Sequence, residues 1–236
     1  MGDLLVLWDV DYTLLNASGL GNRLLEAVFK DMFGRELTVI APKAGRTDRA
    51  ILAETLALAG VPEPPAHVDD FMTELGHRAT AMAGSTGTGI HALPGAAATI
   101  AALAAAGARQ SVLTGNIRPL AALKLAGAGL GQDLDLDACA YGDAHEVRAE
   151  LVTAARRAAQ AAYGTDFGGW STVLIGDTPL DVGAALASGA RVVGVATGSF
   201  TGADLAAAGA HAVLPDLTDT ALVLAAVTGQ PRPAAP

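Results

Sequence analysis

Basic residues, cysteine and aromatic side chains are all scarce in this chain, and the first two shortages each exclude something. One cysteine, Cys139, in 236 residues rules out an intrachain disulfide, and its apolar neighbours mark it as a buried, inert thiol. Only 15 lysines and arginines stand against 24 acidic residues, a net charge of −9. That balance removes the counterion release and basic attraction on which nucleic-acid and anionic-membrane binding depend. It leaves a small phosphate ligand open, because local charge in a cleft decides that. No basic-then-apolar leader opens the sequence, and no apolar run is long and glycine-free enough to span a bilayer. We therefore expect a cytoplasmic protein, monomer or homodimer, with no nucleic-acid or membrane partner. What is present is apolar mass: 51% hydrophobic residues and 17% charged, enough for a sizeable core, with the alanine and glycine that let helices pack closely on a sheet.

Hydrophobic periodicity divides the chain into two regions. An apolar strand opens it, and Asn16-Ala17-Ser18-Gly19 reads as a loop. Helical patterns follow over 20–33, over 47–59 with Thr47 as N-cap, and over 66–83, with no convincing strand between them. Gly84 to Gly89 reads as a flexible hinge. From Leu93 the pattern alternates: helix to Ala106, strand 110–113, helix 116–128, weak strand 137–140, helix 146–163, strand 172–175, helix 179–188, strand 191–195, short helix 203–208, strand 212–214 and helix 218–227. Alternation of this kind implies a parallel sheet with right-handed crossovers. The expected organisation is an α/β core of residues 1–15 and 89–229, an inserted helical domain at 16–88, and a disordered tail at 230–236. Gly127-Ala128-Gly129-Leu130-Gly131 imitates a dinucleotide fingerprint but follows a helix, so it reads as a helix C-terminus.

The chemistry collects at strand ends. Leu4-Leu5-Val6-Leu7-Trp8 is an unbroken apolar run, as in a strand buried on both faces, and it stops at Asp9-Val10-Asp11-Tyr12-Thr13. Extended residues two apart point the same way, about 6.5 Å apart along the backbone, so Asp9 and Asp11 can face one site beyond the carboxyl edge of the sheet. Paired acids there suit a hard cation such as Mg²⁺, with one carboxylate free to attack or to shuttle a proton. Two more strands end alike, in Thr114-Gly115-Asn116 and in Gly176-Asp177-Thr178-Pro179-Leu180-Asp181. Capping accounts for part of this: Asn116 can cap its helix, and Thr178, Pro179 and Asp181 form a good helix start. Capping does not account for Asp177, which precedes the cap.

These three clusters, in this order and spacing, resemble motifs I, II and IV of the haloacid dehalogenase-like hydrolase superfamily. The helical insert after the first motif is similar to the C1-type cap of its phosphoglycolate-phosphatase-like branch. The resemblance implies a Rossmann-like core and phosphoryl transfer from a small phosphorylated metabolite through an aspartyl-phosphate. Asp9 would be the nucleophile and Asp11 the general acid and base. Thr114 would hold a phosphate oxygen, with Thr13, Gly115 and Asn116 around it. Mg²⁺ would be held by Asp9, Asp177 and the Asp11 carbonyl, and Asp181 would orient the basic residue or a metal water. Mg²⁺ would offset the repulsion between carboxylate and phosphate, and backbone N–H groups after Asp9 would add an anion nest.

The chain departs from the family pattern twice. Tyr12 stands where glycine is usual, which makes the turn less tight or turns Tyr12 to the substrate. Motif III is normally a lysine near the start of the helix after the third strand. Lys124 lies about two turns into its helix, roughly 12 Å from the end, which reads as too deep. Arg148 lies at the expected place, and its guanidinium can clamp phosphate, so Arg148 is expected to replace the lysine. In the insert, Arg46 in Gly45-Arg46-Thr47-Asp48 sits at a helix N-terminus where it could read the leaving group. The five histidines lack ligand spacing. Rival readings are a phosphosugar mutase of the same fold, a silent phosphometabolite-binding protein, and a haloacid dehalogenase, which needs neither Asp11 nor Asp177.

Overall fold

In the computed structural model, residues 4–85 and 87–229 are described. Thr86 within the expected hinge and the expected tail at 230–236 lie outside them. In chain order the elements are β1 (Leu5–Trp8), β2 (Leu15–Asn16), α1 (Leu20–Phe33), α2 (Asp48–Leu58), α3 (Pro64–Ala81), β3 (His91–Ala92), α4 (Ala96–Ala105), β4 (Arg109–Leu113), α5 (Arg118–Gly127), β5 (Asp135–Ala140), α6 (Arg148–Tyr163), β6 (Thr172–Gly176), α7 (Pro179–Ala187), β7 (Arg191–Val195), α8 (Gly202–Ala207), β8 (Ala212–Leu214) and α9 (Thr220–Thr228).

Six strands form one parallel sheet in the order β5-β4-β1-β6-β7-β8. From β1 the chain builds outward first on one side and then on the other, so the switch point, where α/β sheets bind ligands, lies at the carboxyl end of β1. Helices cover both faces. Leu5 and Leu7 pack with Leu151, Val152, Val182 and Ala185 of α6 and α7. Val6 and Trp8 face the other way, into a cluster with Ile100 and Leu103 of α4 and Val223 and Val227 of α9. Burial on both faces is why β1 reads as a continuous apolar run rather than an alternating one. The Trp8 indole N–H donates to Gln110 Oε1 at 3.0 Å, and Gln110 Nε2 donates to the Ile100 carbonyl at 2.8 Å, which satisfies the polar atoms buried there.

Between the halves of the core, α1, α2 and α3 pack through Phe29, Leu52, Leu56, Phe71 and Leu75, all almost inaccessible. The region entering and leaving these helices is not all loop. β2 and β3 pair antiparallel, Leu15 with Ala92 and Asn16 with His91, so the two connections run side by side. Two-residue strands carry too little periodicity to show in a sequence. The Ser18 hydroxyl donates to the Gly89 carbonyl at 2.8 Å, and Arg23 to the Ser18 carbonyl at 2.6 Å. The Gly84–Gly89 segment is thus fastened at its core end.

Candidate active site

Three strand ends of the sheet converge. At the end of β1 the chain makes a tight turn: the Tyr12 N–H reaches the Leu15 carbonyl at 2.7 Å, and Leu14 and Leu15 both donate to the Val10 carbonyl. Tyr12 takes φ 60°, the left-handed conformation a glycine would adopt. The turn is therefore as tight as the usual residue would make it, and the half-exposed ring stands at the rim of the cavity. The Thr197 hydroxyl holds the Tyr12 carbonyl at 2.5 Å. Among the described residues, the N–H groups of Val10, Asp11 and Gly115 have no protein acceptor, the arrangement of an anion nest.

Asp9, Asp177 and Asp181 are buried, and each offers an oxygen within 4.8 Å of the others. Asp9 Oδ1 accepts from Arg148 Nη2 at 2.5 Å, and the same nitrogen lies 2.6 Å from Asp181 Oδ1. Thr13 Oγ1 lies 3.2 Å from Asp9 Oδ2 and 3.4 Å from Asp177 Oδ1, bridging the two. Asp9 and Asp181 share one guanidinium, and Asp177 lies beside them without touching it. Burial first, and then repulsion from Asp181, raise the Asp9 pKa to about 7, although Arg148 opposes the shift. Burial and repulsion from Asp9 raise Asp177 to about 8. Three buried carboxylates in excess over one guanidinium offer the oxygen ligands and negative charge that fit a hard divalent cation such as Mg²⁺.

The sequence places Arg148 at the beginning of a helix, and it is the first residue of α6, with its guanidinium buried against Asp9. Asp181 has two uses. Its Oδ2 completes the capping box of α7 with the Thr178 N–H and hydroxyl, and its Oδ1 faces Arg148. Asn116 is not a helix cap. α5 begins at Arg118, two residues later than the reading from Asn116, with Ile117 as N-cap. That frees the Asn116 side chain to donate to Asp11 Oδ2 and to Thr114 Oγ1, both at 2.7 Å.

Lys124 requires a correction. Residue counting puts it too deep in its helix to reach the site, yet its ammonium lies 2.8 and 2.7 Å from the two Asp11 oxygens and 2.6 Å from Asn116 Oδ1. Counting backbone rise omits the side chain: α5 starts late, and helical side chains lean toward the N-terminus. The apolar spacing around Lys124 leaves it on the buried face, at 5% exposure, and that was the signal available in the sequence.

Gly45 and Arg46 bring the helical insert onto the core. A Cβ on Gly115 would stand 1.9 Å from the Arg46 carbonyl oxygen, and one on Gly142 would stand 1.8 Å from the Gly115 carbonyl oxygen, so both close approaches require glycine. The Asp48 N–H donates to the Gly115 carbonyl at 2.6 Å, the Ile117 N–H to Asp48 Oδ2 at 2.9 Å, and Thr47 Oγ1 to the Glu146 carbonyl at 3.1 Å. Arg46 borders the cavity, but its guanidinium is turned to Glu54 and to the carbonyls of Pro42 and Ala50. The cation that the insert directs at the Asp11 side is Lys43, whose ammonium bonds Asn22 Oδ1 and whose pKa falls through burial and the nearby Lys124. Together these elements enclose about 630 Å³, bounded by Asp9, Asp11, Thr114, Arg148, Lys43 and Lys124 among others. Cys139 is only half-buried and does not line this cavity; burial raises its pKa, in keeping with an unreactive thiol. No helix among the described residues is long and apolar enough to cross a membrane.

Solved structures share this architecture. A predicted phosphatase from Clostridium acetobutylicum superposes with a TM-score of 0.66 at 17% identity, over 94% of this chain and 98% of that one. A candidate β-phosphoglucomutase from Bacteroides vulgatus gives 0.65 at 17% identity, over 96% and 90%. A HAD family hydrolase from Deinococcus radiodurans, with bound phosphate and sodium, gives 0.52 at 22% identity, over 96% of both chains. No curated protein sequence matches. The profile described as haloacid dehalogenase-like hydrolase matches residues 6–186, a span that takes in all three converging strand ends from Asp9 to Asp181, and the chain belongs to that family.

Proposed function

We propose that the protein is a Mg²⁺-dependent phosphatase that hydrolyses a small phosphomonoester through a phosphorylated Asp9. The observation that carries this reading is the placement of two carboxylates on one cavity: Asp9, with one oxygen held by Arg148, and Asp11, held by Asn116 and Lys124. Asp9, Asp177 and the Asp11 carbonyl would hold Mg²⁺, which when bound screens the phosphate charge from the attacking carboxylate. The phosphoryl group would sit against the free N–H groups of Val10, Asp11 and Gly115, the Thr114 hydroxyl and Arg148. Asp9 attacks phosphorus, the P–O bond to the leaving group breaks, and Asp11 gives its proton to the departing alkoxide. Asp11 then takes a proton from water, the hydroxide attacks phosphorus, and phosphate departs with the Asp9 carboxylate restored. The net change is ester plus water to alcohol plus phosphate. Arg148 faces Asp9 throughout and supplies the charge that the motif III lysine supplies elsewhere.

The leaving group would lie beyond Asp11, under the helical insert. Phosphoglycolate fits there, but the cavity is within the range that takes drug-sized ligands, and larger leaving groups fit as well. The insert would open to admit substrate and close to exclude water. The test is phosphate release from a panel of phosphomonoesters with Mg²⁺ and with EDTA. Steady, Mg²⁺-dependent release supports a phosphatase. Phosphate returned to an isomeric product indicates the mutase, and binding without turnover indicates a silent binder.

A further inference from the structure

We propose that Lys124 is a positioning residue that fixes the Asp11 carboxylate for proton transfer to the leaving group. The inference rests on the phosphatase reading above and goes beyond it, because that mechanism assigns Lys124 nothing. An ammonium has three N–H donors. Those of Lys124 meet Asp11 Oδ1, Asp11 Oδ2 and Asn116 Oδ1, at 2.8, 2.7 and 2.6 Å. All three are engaged within the protein, so Lys124 has none left for substrate, and its side chain is 6% accessible against 34% for Asp11. A substrate-reading lysine would show the opposite pattern. Lys43, more exposed, with a single side-chain acceptor at Asn22, is closer to it.

The grip is two-sided. Asn116 Nδ2 also donates to Asp11 Oδ2, and Asn116 is itself fixed to Thr114 Oγ1. Asp11 Oδ2 thus takes two donors and Oδ1 one, which leaves Oδ1 with a spare lone pair. Asp11 lies past the end of β1, in an isolated bridge with Leu15, and the contacts that orient its carboxylate are those from Lys124 and Asn116. A carboxylate that must reach one leaving oxygen gains most from being held in place before the reaction.

The experiment uses the Mg²⁺-loaded enzyme and two esters: an alkyl phosphate, whose alkoxide needs the proton, and p-nitrophenyl phosphate, whose phenolate leaves without one. Lys124→Met should lower kcat/KM for the alkyl ester by about 100-fold or more, in the range general acid catalysis supplies, and for p-nitrophenyl phosphate by less than about fivefold. Competitive inhibition by inorganic phosphate should stay within about threefold, since phosphate would contact backbone N–H groups, Thr114 and Arg148 rather than Lys124. In an Asp11→Asn background, Lys124→Met should cost no more than about threefold, because residues that act through one group are not additive. Lys124→Gln, which is shorter and unable to span both oxygens, should show the same selective loss and provides a second folded test. Equal losses on the two esters, or a full additional loss in the Asp11→Asn background, would overturn the proposal and leave Lys124 as a buried counter-charge. Wild-type inactivity on both esters would instead overturn the phosphatase reading beneath it.

Discussion

Replacing Arg148 with methionine removes the guanidinium that lies between Asp9 and Asp181, and its effect can be worked out from the geometry. The side chain is 7% accessible, 2.5 Å from Asp9 Oδ1 and 2.6 Å from Asp181 Oδ1. Breaking a buried pair by removing one partner costs about 3–5 kcal/mol, because the other charge stays buried and unpaired. The carboxylates can relieve that cost by taking up protons. Asp9 and Asp177, at about 7 and about 8, already lie far above the unfolded value of 3.8. The folded state therefore binds more protons than the unfolded state below those values, and metal-free stability rises as pH falls from about 8 toward about 4. Losing Arg148 lifts both groups further and steepens the slope. Urea melts in EDTA should show a deficit for Arg148→Met of about 4 kcal/mol near pH 8.5, shrinking to roughly half near pH 6 as protonation replaces the lost cation. Turnover should fall by about 100- to 1,000-fold, the usual cost of one electrostatic contact at a reacting centre. Arg148→Lys should recover part of it. Wild-type turnover in Arg148→Met, or a stability deficit flat with pH, would refute the reasoning.

Other perturbations probe other parts of the site. Gly115→Ala places a Cβ where the Arg46 carbonyl oxygen lies; it should lower kcat/KM at least about tenfold by displacing the loop from the core, read by steady-state kinetics and a lowered Tm. Burial raises the Asp48 pKa to about 6, so its ionised form opposes folding above that value. Asp48→Asn, which can still accept from the Ile117 N–H, should stabilise by about 1 kcal/mol near pH 8 and by little near pH 5 in thermal melts, allowing for partial solvent screening. Mg²⁺ should raise the Tm of the wild type by mass action, more at pH 8 than at pH 6, where Asp9 and Asp177 hold protons that compete with it. Asp177→Asn should abolish most of that shift.

The residues that were legible in the sequence sit where local pattern and chemistry coincide. β1 reads as a doubly buried strand because both its faces are covered, and Asp9, Thr114 and Asp177 follow because each ends an apolar run. The α7 capping box is legible for the same local reason. Arg148 was reached by position along a helix, and it meets Asp9 as that position implies. Contacts made across the fold were less accessible. Lys124 reaches Asp11 across 113 residues through side-chain length and helix lean, which residue counting does not capture. Position at a helix N-terminus offers Arg46 to the leaving group, but its guanidinium pairs with Glu54, eight residues further along the chain. Tyr12 occupies a left-handed turn despite its Cβ, at a cost of about 1–2 kcal/mol that the surrounding hydrogen bonds must offset.

The central claim is that Asp9 carries the phosphoryl group, and acid quenching of the enzyme during turnover with Mg²⁺ and a phosphomonoester tests it most directly. Intact and peptide mass spectrometry should find one added phosphoryl group on the wild type, located on the peptide containing Asp9, sensitive to hydroxylamine, and absent from Asp9→Asn, which should release no phosphate. Phosphate release by Asp9→Asn at the wild-type rate, or a phosphoryl group found on another residue during turnover, would contradict the account.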